Sequence, residues 1–244
     1  MTLIGKLQPR SVLADQVRDR LLEAILSGEY APDSRIVETQ VARELGTSQA
    51  PVREALRGLE ALGVVEITPF RGARVRRPTR RELLEAYVVR SALETLGARL
   101  AVPRLTDDDL ADLGAAVEAM QAAARAGDGH RVAEADARFH GRLLEVADNG
   151  TLARLWRSLE PVSRTYITLV VPGADLHWSA DLHVPVLAAL RRRDVEAVVA
   201  ALENHFDEVS ANMAGRLPDD SAADPSANPS ATVVGVATIA ERTP

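Results

Sequence analysis

The chain has 244 residues, of which 46% are hydrophobic and only 3% aromatic, so it can bury one or two cores, and its balance favours helices over a β-sandwich or barrel. It has no cysteine, which excludes disulfides and thiolate metal sites, and no apolar run approaches the roughly 18 residues that span a membrane. The net charge is −6, yet residues 1–77 carry 12 basic and 10 acidic side chains, and a cytoplasmic protein is expected.

The first 77 residues contain three short helical patterns and a pair of strands. Apolar residues at helical spacing predict helices over Val12–Leu26, Glu38–Leu45 and Ser48–Leu62, with Ser48 capping the third. Each helix is followed by a glycine stop within two residues. Two strands are then predicted, Val64–Thr68 and Ala73–Arg77, and Pro69–Gly72 joins them as a hairpin.

This order of elements predicts a winged helix-turn-helix, which places one helix in the major groove of DNA. On the third helix, Gln49, Arg53 and Arg57 are spaced four apart and lie off the apolar face. Glutamine can pair with adenine, and arginine with guanine or a phosphate. For any one of these residues, a merely solvated side chain remains an alternative. Together with the helix start and the hairpin tip, the candidate DNA-binding residues are Ser48, Gln49, Arg53, Arg57, Arg71 and Gly72.

The rest of the chain is predicted to be an all-α bundle of about six helices. Their predicted bounds are Arg80–Val102, Thr106–Gly127, Arg131–Ala147, Thr151–Val171, Ser179–Arg192 and Asp194–Met213. Asp109 stands at the third position after Thr106, as in a capping box. From Leu217 the composition predicts a disordered tail. The predicted domains are therefore residues 1–77, residues 78–216 and a tail over residues 217–244.

Four residues of the bundle form a candidate metal site. Asp136 and His140 are four apart on one predicted helix, so they leave the same face, although a surface or capping pair is the alternative. His183 and His205 are equidistant from the turn at residue 194, so an antiparallel hairpin brings them face to face. One carboxylate and three imidazoles suit Zn²⁺, Ni²⁺ or Mn²⁺. The remaining histidines are assigned to loops and left out: His130 and His177.

The stretch SRIVETQVARELGTSQAPVREALRGLEALGVVEITPFRGARV resembles the DNA-binding half of the GntR family of regulators. The resemblance centres on SQAPVREALRGL and covers nearly all of the first predicted domain. It implies that Arg53 contacts DNA and that Ser48 and Gly72 lie near phosphates. The chain departs from the family at Gln49 and Thr39, where other members carry arginine, so the preferred half-site is expected to differ.

The stretches EADARFHGRLLEVADNGTLARLW and DLHVPVLAALRRRDVEAVVAALENHF resemble the metal-binding motifs of the FCD domain, the effector domain of FadR-type GntR regulators. The resemblance implies that the aspartate and three histidines bind a divalent metal, and that the pocket holds a small carboxylate. Arg90, in VVRSALE, matches a recurrent arginine of that domain. It could face an anionic effector or pair with Glu94, four residues on.

These patterns predict a ligand-responsive transcriptional regulator, usually a repressor in this family. A homodimer would bind an inverted repeat, and a small carboxylate bound at the metal site would release it. The alternative is a metal-dependent hydrolase that uses the same Asp/His site. No acid–base pair beyond the ligands and no nucleophile motif supports it, so no enzymatic activity is expected.

Overall fold

The computed structural model describes residues 10–69, 71–165 and 175–217. The N-terminal part folds as three helices and a small sheet, which confirms the winged helix-turn-helix. Its elements are α1 (Arg10–Leu26), β1 (Arg35–Ile36), α2 (Glu38–Glu44), α3 (Gln49–Ala61), β2 (Val65–Thr68) and β3 (Gly72–Val75). Helix α3 packs on α1 and α2 through one apolar face, with Val52, Leu56 and Leu59 buried.

The three strands form the wing in the order β1-β3-β2, and both pairings are antiparallel. Strands β2 and β3 are the predicted hairpin, with Thr68 paired to Gly72 at its closed end. Gly72 has a φ of +84°, in the left-handed region that favours glycine. Strand β1 was not predicted, because two residues are too few to show alternation and only their pairing with Arg74 and Ala73 of β3 defines the strand.

The C-terminal part is a helical bundle, as predicted. Its elements are α4 (Arg80–Ala101), a short 3-10 helix (Val102–Arg104), α5 (Asp107–Arg125), α6 (Gly129–Val146), α7 (Gly150–Thr165), α8 (Leu176–Asp181), α9 (His183–Arg192) and α10 (Val195–Arg216). The segment predicted as one helix, Ser179–Arg192, belongs to two, because the helix breaks at Leu182. The predicted end of α7 at Val171 and the predicted tail beyond Leu217 lie outside the described residues.

Local signals fix the bundle helices at their ends and where they cross. The predicted capping box is present: the Thr106 hydroxyl accepts from the Asp109 amide, and the Asp109 carboxylate accepts from the Thr106 amide. Where α4 crosses α6, a Cβ added to Gly97 would overlap Leu144 Cδ2. The two helices therefore approach more closely than a larger residue at position 97 would permit.

The buried apolar side chains form two clusters, one drawn from α1 to β3 and the other from α4 to α10. The two parts of the chain touch through α1, which contacts α6 and α7. His130 Nε2 lies 2.9 Å from a carboxylate oxygen of Glu23, and His130 Nδ1 lies 3.3 Å from the carbonyl oxygen of Leu26. His130 belongs to α6 and His177 to α8, so the assignment of these two residues to loops was wrong. None of the helices described is long and apolar enough to cross a membrane.

Candidate functional site

The exposed face of α3 carries the predicted DNA-reading residues. Gln49, Arg53 and Arg57 are all exposed on one side of the helix, opposite its buried apolar face. Arg53 forms an ion pair with Glu38 of α2. Its Nη2 donates to Glu38 Oε2 at 2.9 Å, and its Nε donates to the same oxygen at 3.2 Å. The hydrogen bond and the charge of Glu38 raise the pKa of Arg53. This pairing between α2 and α3 was not predicted from the sequence.

The start of α3 and the wing carry further exposed residues from the predicted DNA-binding set. Ser48 occupies the N-cap position, but its side chain makes no capping bond among the described residues, so the predicted cap is wrong in this respect. Its hydroxyl and the first-turn amides can therefore receive a phosphate, and the first turn holds no acidic side chain. In the wing, Arg71 is exposed, and Arg35 of the unpredicted β1 lies beside Gly72.

The four predicted metal ligands lie together in the interior of the bundle. Helix α6 supplies Asp136 and His140, α9 begins with His183, and α10 supplies His205. All four are buried, and the ligand-capable nitrogens of the three histidines lie within 4.8 Å of one another. Asp136 Oδ1 is 3.1 Å from His183 Nε2 and 3.7 Å from His140 Nε2. The expected juxtaposition of His183 and His205 is present, with ring centroids 4.6 Å apart.

The hydrogen bonds around the cluster turn nitrogen lone pairs inward. His140 Nδ1 donates to Glu94, and His183 Nδ1 donates to the Ser179 carbonyl at 3.1 Å. Their Nε2 atoms then face each other at 3.2 Å. His205 Nδ1 is buried without a hydrogen-bond partner among the described residues. Two inward lone pairs, a carboxylate and a third histidine with an unpartnered nitrogen, all in one buried cluster, fit a divalent cation, which takes the same donors.

The electrostatics favour the ligand forms of these side chains. Burial lowers the pKa of His205, and His183 and His140 lower it further, so its imidazole is neutral at neutral pH. Burial acts to raise the pKa of Asp136, but the neighbouring His140, His183 and Arg90 outweigh this effect and hold the pKa well below its usual range. The cluster thus offers an ionised carboxylate and a neutral imidazole.

A buried carboxylate beside the cluster, Glu94, was not predicted as a site residue. Its Oε1 accepts from Arg90 Nε at 2.9 Å and from Trp156 Nε1 at 2.7 Å, while its Oε2 accepts from His140. Burial acts to raise the pKa of Glu94, but the neighbouring His140 and Arg90 outweigh this effect and lower the pKa. The four-residue spacing from Arg90 was the only signal of this role in the sequence.

Arg90 pairs with Glu94, which is one of the two alternatives raised by the sequence, and it also lines a cavity beside the histidines. The cavity measures about 30 Å³, and its walls include Asp136, His205 and Trp178. A larger groove of about 600 Å³ between α5, α6 and α7 contains none of the four candidate ligands. The small cavity is therefore the candidate effector site, since ligating and anion-binding groups converge there.

Known proteins match both halves of the chain. Residues 13–75 match the family described as bacterial regulatory proteins, gntR family, and residues 85–208 match the FCD domain. The chain therefore belongs to the GntR family of bacterial transcriptional regulators, with an FCD domain as its C-terminal part.

Individual relatives are similar along most of the chain. The probable D-xylose utilization operon transcriptional repressor of Paenarthrobacter nicotinovorans is 35% identical over 205 residues, which cover 84% of this chain and 90% of that protein. The solved structure of Escherichia coli McbR/YncC matches with a TM-score of 0.72 and 26% identity, covering 83% of this chain and 97% of that one. A GntR regulator of Rhodococcus sp. RHA1 shares the fold, with a TM-score of 0.74 and 24% identity over 84% and 99% of the two chains. The protein is thus a DNA-binding regulator and not an enzyme, and the hydrolase alternative has no support.

Proposed function

We propose that this protein is a repressor that binds an inverted-repeat operator as a homodimer and releases it when a small carboxylate binds at a divalent metal. Residues 1–77 form the DNA-binding domain in this proposal, and residues 78–216 form the effector domain. One observation carries it: Asp136, His140, His183 and His205 converge in the interior of the bundle, beside a cavity that Asp136, His205 and Arg90 line. The name of the Paenarthrobacter relative supports repression.

The same four side chains would hold the metal, which we expect to be Zn²⁺, Ni²⁺ or Mn²⁺. When bound, a metal that accepts five or six ligands supplies one or two open positions for a carboxylate oxygen. Arg90 would bind the far end of the anion. Its buried Nη2 forms an ion pair with Glu94 Oε1 at 2.9 Å but makes no hydrogen bond to a described residue. A fixed cation with a spare donor is suited to an anionic effector.

The exposed groups of α3 and the wing would bind the operator. Gln49, Arg53 and Arg57 would face base edges and phosphates, while Ser48, Arg71 and Gly72 would contact the backbone. Homodimerisation is supported by large apolar side chains that α4 and α7, which contact each other, leave exposed, because exposed apolar surface is typical of interfaces. These residues are Val88, Val89, Leu96 and Leu155. Two copies related by a two-fold axis match an inverted repeat.

Helix α6 offers a route from the cavity to DNA. It carries Asp136 and His140 at its centre, and near its start it carries His130, which contacts Glu23 and Leu26 of α1. Helix α1 in turn packs against α3. An effector that binds one arrangement of α6 more tightly would therefore shift the population of the DNA-binding domain's arrangements.

The test combines metal content with DNA release. Elemental analysis of the purified protein is expected to find metal, and a chelator is expected to lower the melting temperature, because a ligand of the folded state stabilises it by mass action. His183→Ala and His205→Ala are expected to lose metal, keep operator binding, and no longer release the protein's own upstream DNA in the presence of sugar acids or dicarboxylates. His177→Ala, a histidine of α8 outside the cluster, is the matched control.

Protein that contains no metal, takes none up, and still releases DNA with a carboxylate would contradict the proposal. The four residues would then form only a cluster of structural histidines.

A further inference from the structure

Glu94 connects three groups that belong to different parts of the proposed mechanism. One carboxylate oxygen accepts from His140, and the other accepts from both Arg90 and Trp156. The side chain is completely buried, so these contacts replace all of its hydration. We propose that Glu94 is a positioning residue that sets the ligand form of His140 and couples occupancy of the cavity to α7 through Trp156. This inference rests on the proposed function, since it assigns a role within the same site.

Glu94 determines which nitrogen of His140 can bind a metal. Because His140 Nδ1 donates to Glu94, the lone pair of that ring is at Nε2, which faces His183 Nε2 at 3.2 Å. A carboxylate that is hydrogen-bonded to a metal-ligating histidine fixes the tautomer and orientation of the ring and raises its basicity. Loss of such a partner lowers metal affinity by about 10–100-fold.

The second oxygen of Glu94 holds the anion-binding arginine in place. Arg90 Nε donates to it at 2.9 Å, and the guanidinium lies 5.4 Å from the Tyr87 ring centroid and 5.5 Å from that of Phe206. Arg90 therefore has little freedom to move without changing its bond to Glu94. An anion bound to Arg90 and a metal bound to His140 would each change the strength of the hydrogen bonds that the Glu94 carboxylate accepts from these two residues.

Trp156 is the residue that would transmit the effect of such a change at Glu94 to the rest of the protein. Its indole N–H donates to Glu94 Oε1 at 2.7 Å, and its ring packs against α6 at Gly141. Trp156 belongs to α7, and α7 contacts α1 of the DNA-binding domain. The hydrogen bond is thus a direct physical link between the cluster and a helix that touches the DNA-binding domain.

The experiment uses the full chain with Zn²⁺ alone as the probe. The chain has two tryptophans, so Trp178→Phe leaves Trp156 as the only tryptophan, which is excited selectively over the tyrosines. In this background, Zn²⁺ is expected to shift the Trp156 emission. Adding Glu94→Gln is expected to abolish that shift and to weaken Zn²⁺ binding about 10–100-fold in a chelator competition. Glu85→Gln, on the exposed side of the same helix, is the matched control and is expected to behave like the background.

A second variant keeps the test decisive if Glu94→Gln does not fold. Trp156→Phe keeps an aromatic ring, although a smaller one, and removes the N–H donor. This variant is expected to bind Zn²⁺ as the wild type does while losing the Zn²⁺-dependent protection of α7 amides from hydrogen exchange. A folded Glu94→Gln with unchanged Zn²⁺ affinity, or unchanged α7 protection in Trp156→Phe, would overturn the inference alone. A wild-type protein that binds no Zn²⁺ would overturn the proposed metal site and this inference with it.

Discussion

Arg53 has a different binding partner in the free protein and in the proposed DNA complex. In the free protein its guanidinium is half exposed, and Glu38 occupies part of its donor fork. Binding a guanine or a phosphate would exchange one charged acceptor for another. The observed affinity would then be the difference between two charge-assisted interactions, and not the full value of the new one.

Arg53→Ala is therefore expected to weaken operator binding by about 1–3 kcal/mol, the range for a base-contacting arginine. Fluorescence anisotropy at one fixed salt concentration measures the change. Arg81→Ala removes an exposed arginine of α4 and controls for net charge. Glu38→Gln is expected to bind at least as tightly as the wild type, because it removes the competing carboxylate. Wild-type affinity in a folded Arg53→Ala protein would show that α3 is not the recognition helix.

At this scale the sequence was informative where spacing determines direction. The four-residue spacing of Asp136 and His140, and the symmetry of His183 and His205 about their turn, predicted that these side chains meet. The sequence was silent where a partner comes from a distant element. Nothing in the order of residues links Glu38 to Arg53, or Trp156 to Glu94, because those pairs depend on how helices pack.

At the scale of elements, the crossing of α4 and α6 controls the distance between Arg90 and Glu94 on one helix and Asp136 and His140 on the other. Gly97 makes this close approach possible, since a Cβ there would overlap Leu144. The spacing of the site thus depends on a residue that takes no part in its chemistry.

Gly97→Ala is expected to destabilise the protein by about 1–3 kcal/mol, the cost of overpacking a buried contact, measured by urea unfolding. Gly215→Ala is the matched control on α10: its added Cβ would meet no described atom within 4 Å, and it is expected to be neutral or slightly stabilising. Combining Gly97→Ala with Leu144→Ala is expected to be less harmful than the two single changes summed. Equal stabilities of the two glycine variants would contradict the close approach.

The elements themselves were predicted well where local signals are strong. Glycine stops, capping residues and apolar periodicity located the helices from Val12 to Leu62 and the wing strands to within a few residues. Strand β1 was missed because its definition is its pairing with β3. The break at Leu182 between α8 and α9 was missed because apolar periodicity continues across it.

At the scale of the whole molecule, the two parts of the chain are joined by few contacts, and His130 makes one of the polar ones that the structure describes. It stands on the helix that carries two of the proposed ligands. A side chain in this position can affect coupling without touching either DNA or effector.

His130→Phe is expected to keep operator binding but to lower the coupling free energy between effector and DNA by about 0.5–2 kcal/mol. The coupling free energy is obtained from the ratio of the operator affinities with and without a saturating carboxylate, both measured on metal-loaded protein. Arg131→Ala, an exposed neighbour on the same helix, is expected to leave the ratio unchanged. Wild-type coupling in His130→Phe would place the transmission elsewhere, for example through α7.

The small size of the candidate effector cavity has a kinetic consequence. A space of about 30 Å³ has room for one or two water molecules, whereas a sugar acid is several times larger. The walls contributed by α8, including Leu176 and Trp178, must move before such a molecule enters. In stopped-flow mixing, the rate of effector binding is expected to level off at high concentration, at the rate at which the wall opens.

Trp178→Ala is expected to raise that plateau, because a smaller side chain obstructs the entrance less. A rate that rises linearly with concentration throughout the accessible range would mean that no opening step limits entry. If the plateau is present, the opening of the wall at α8 limits the rate of induction. A sudden rise in effector concentration beyond the plateau would then not make derepression faster.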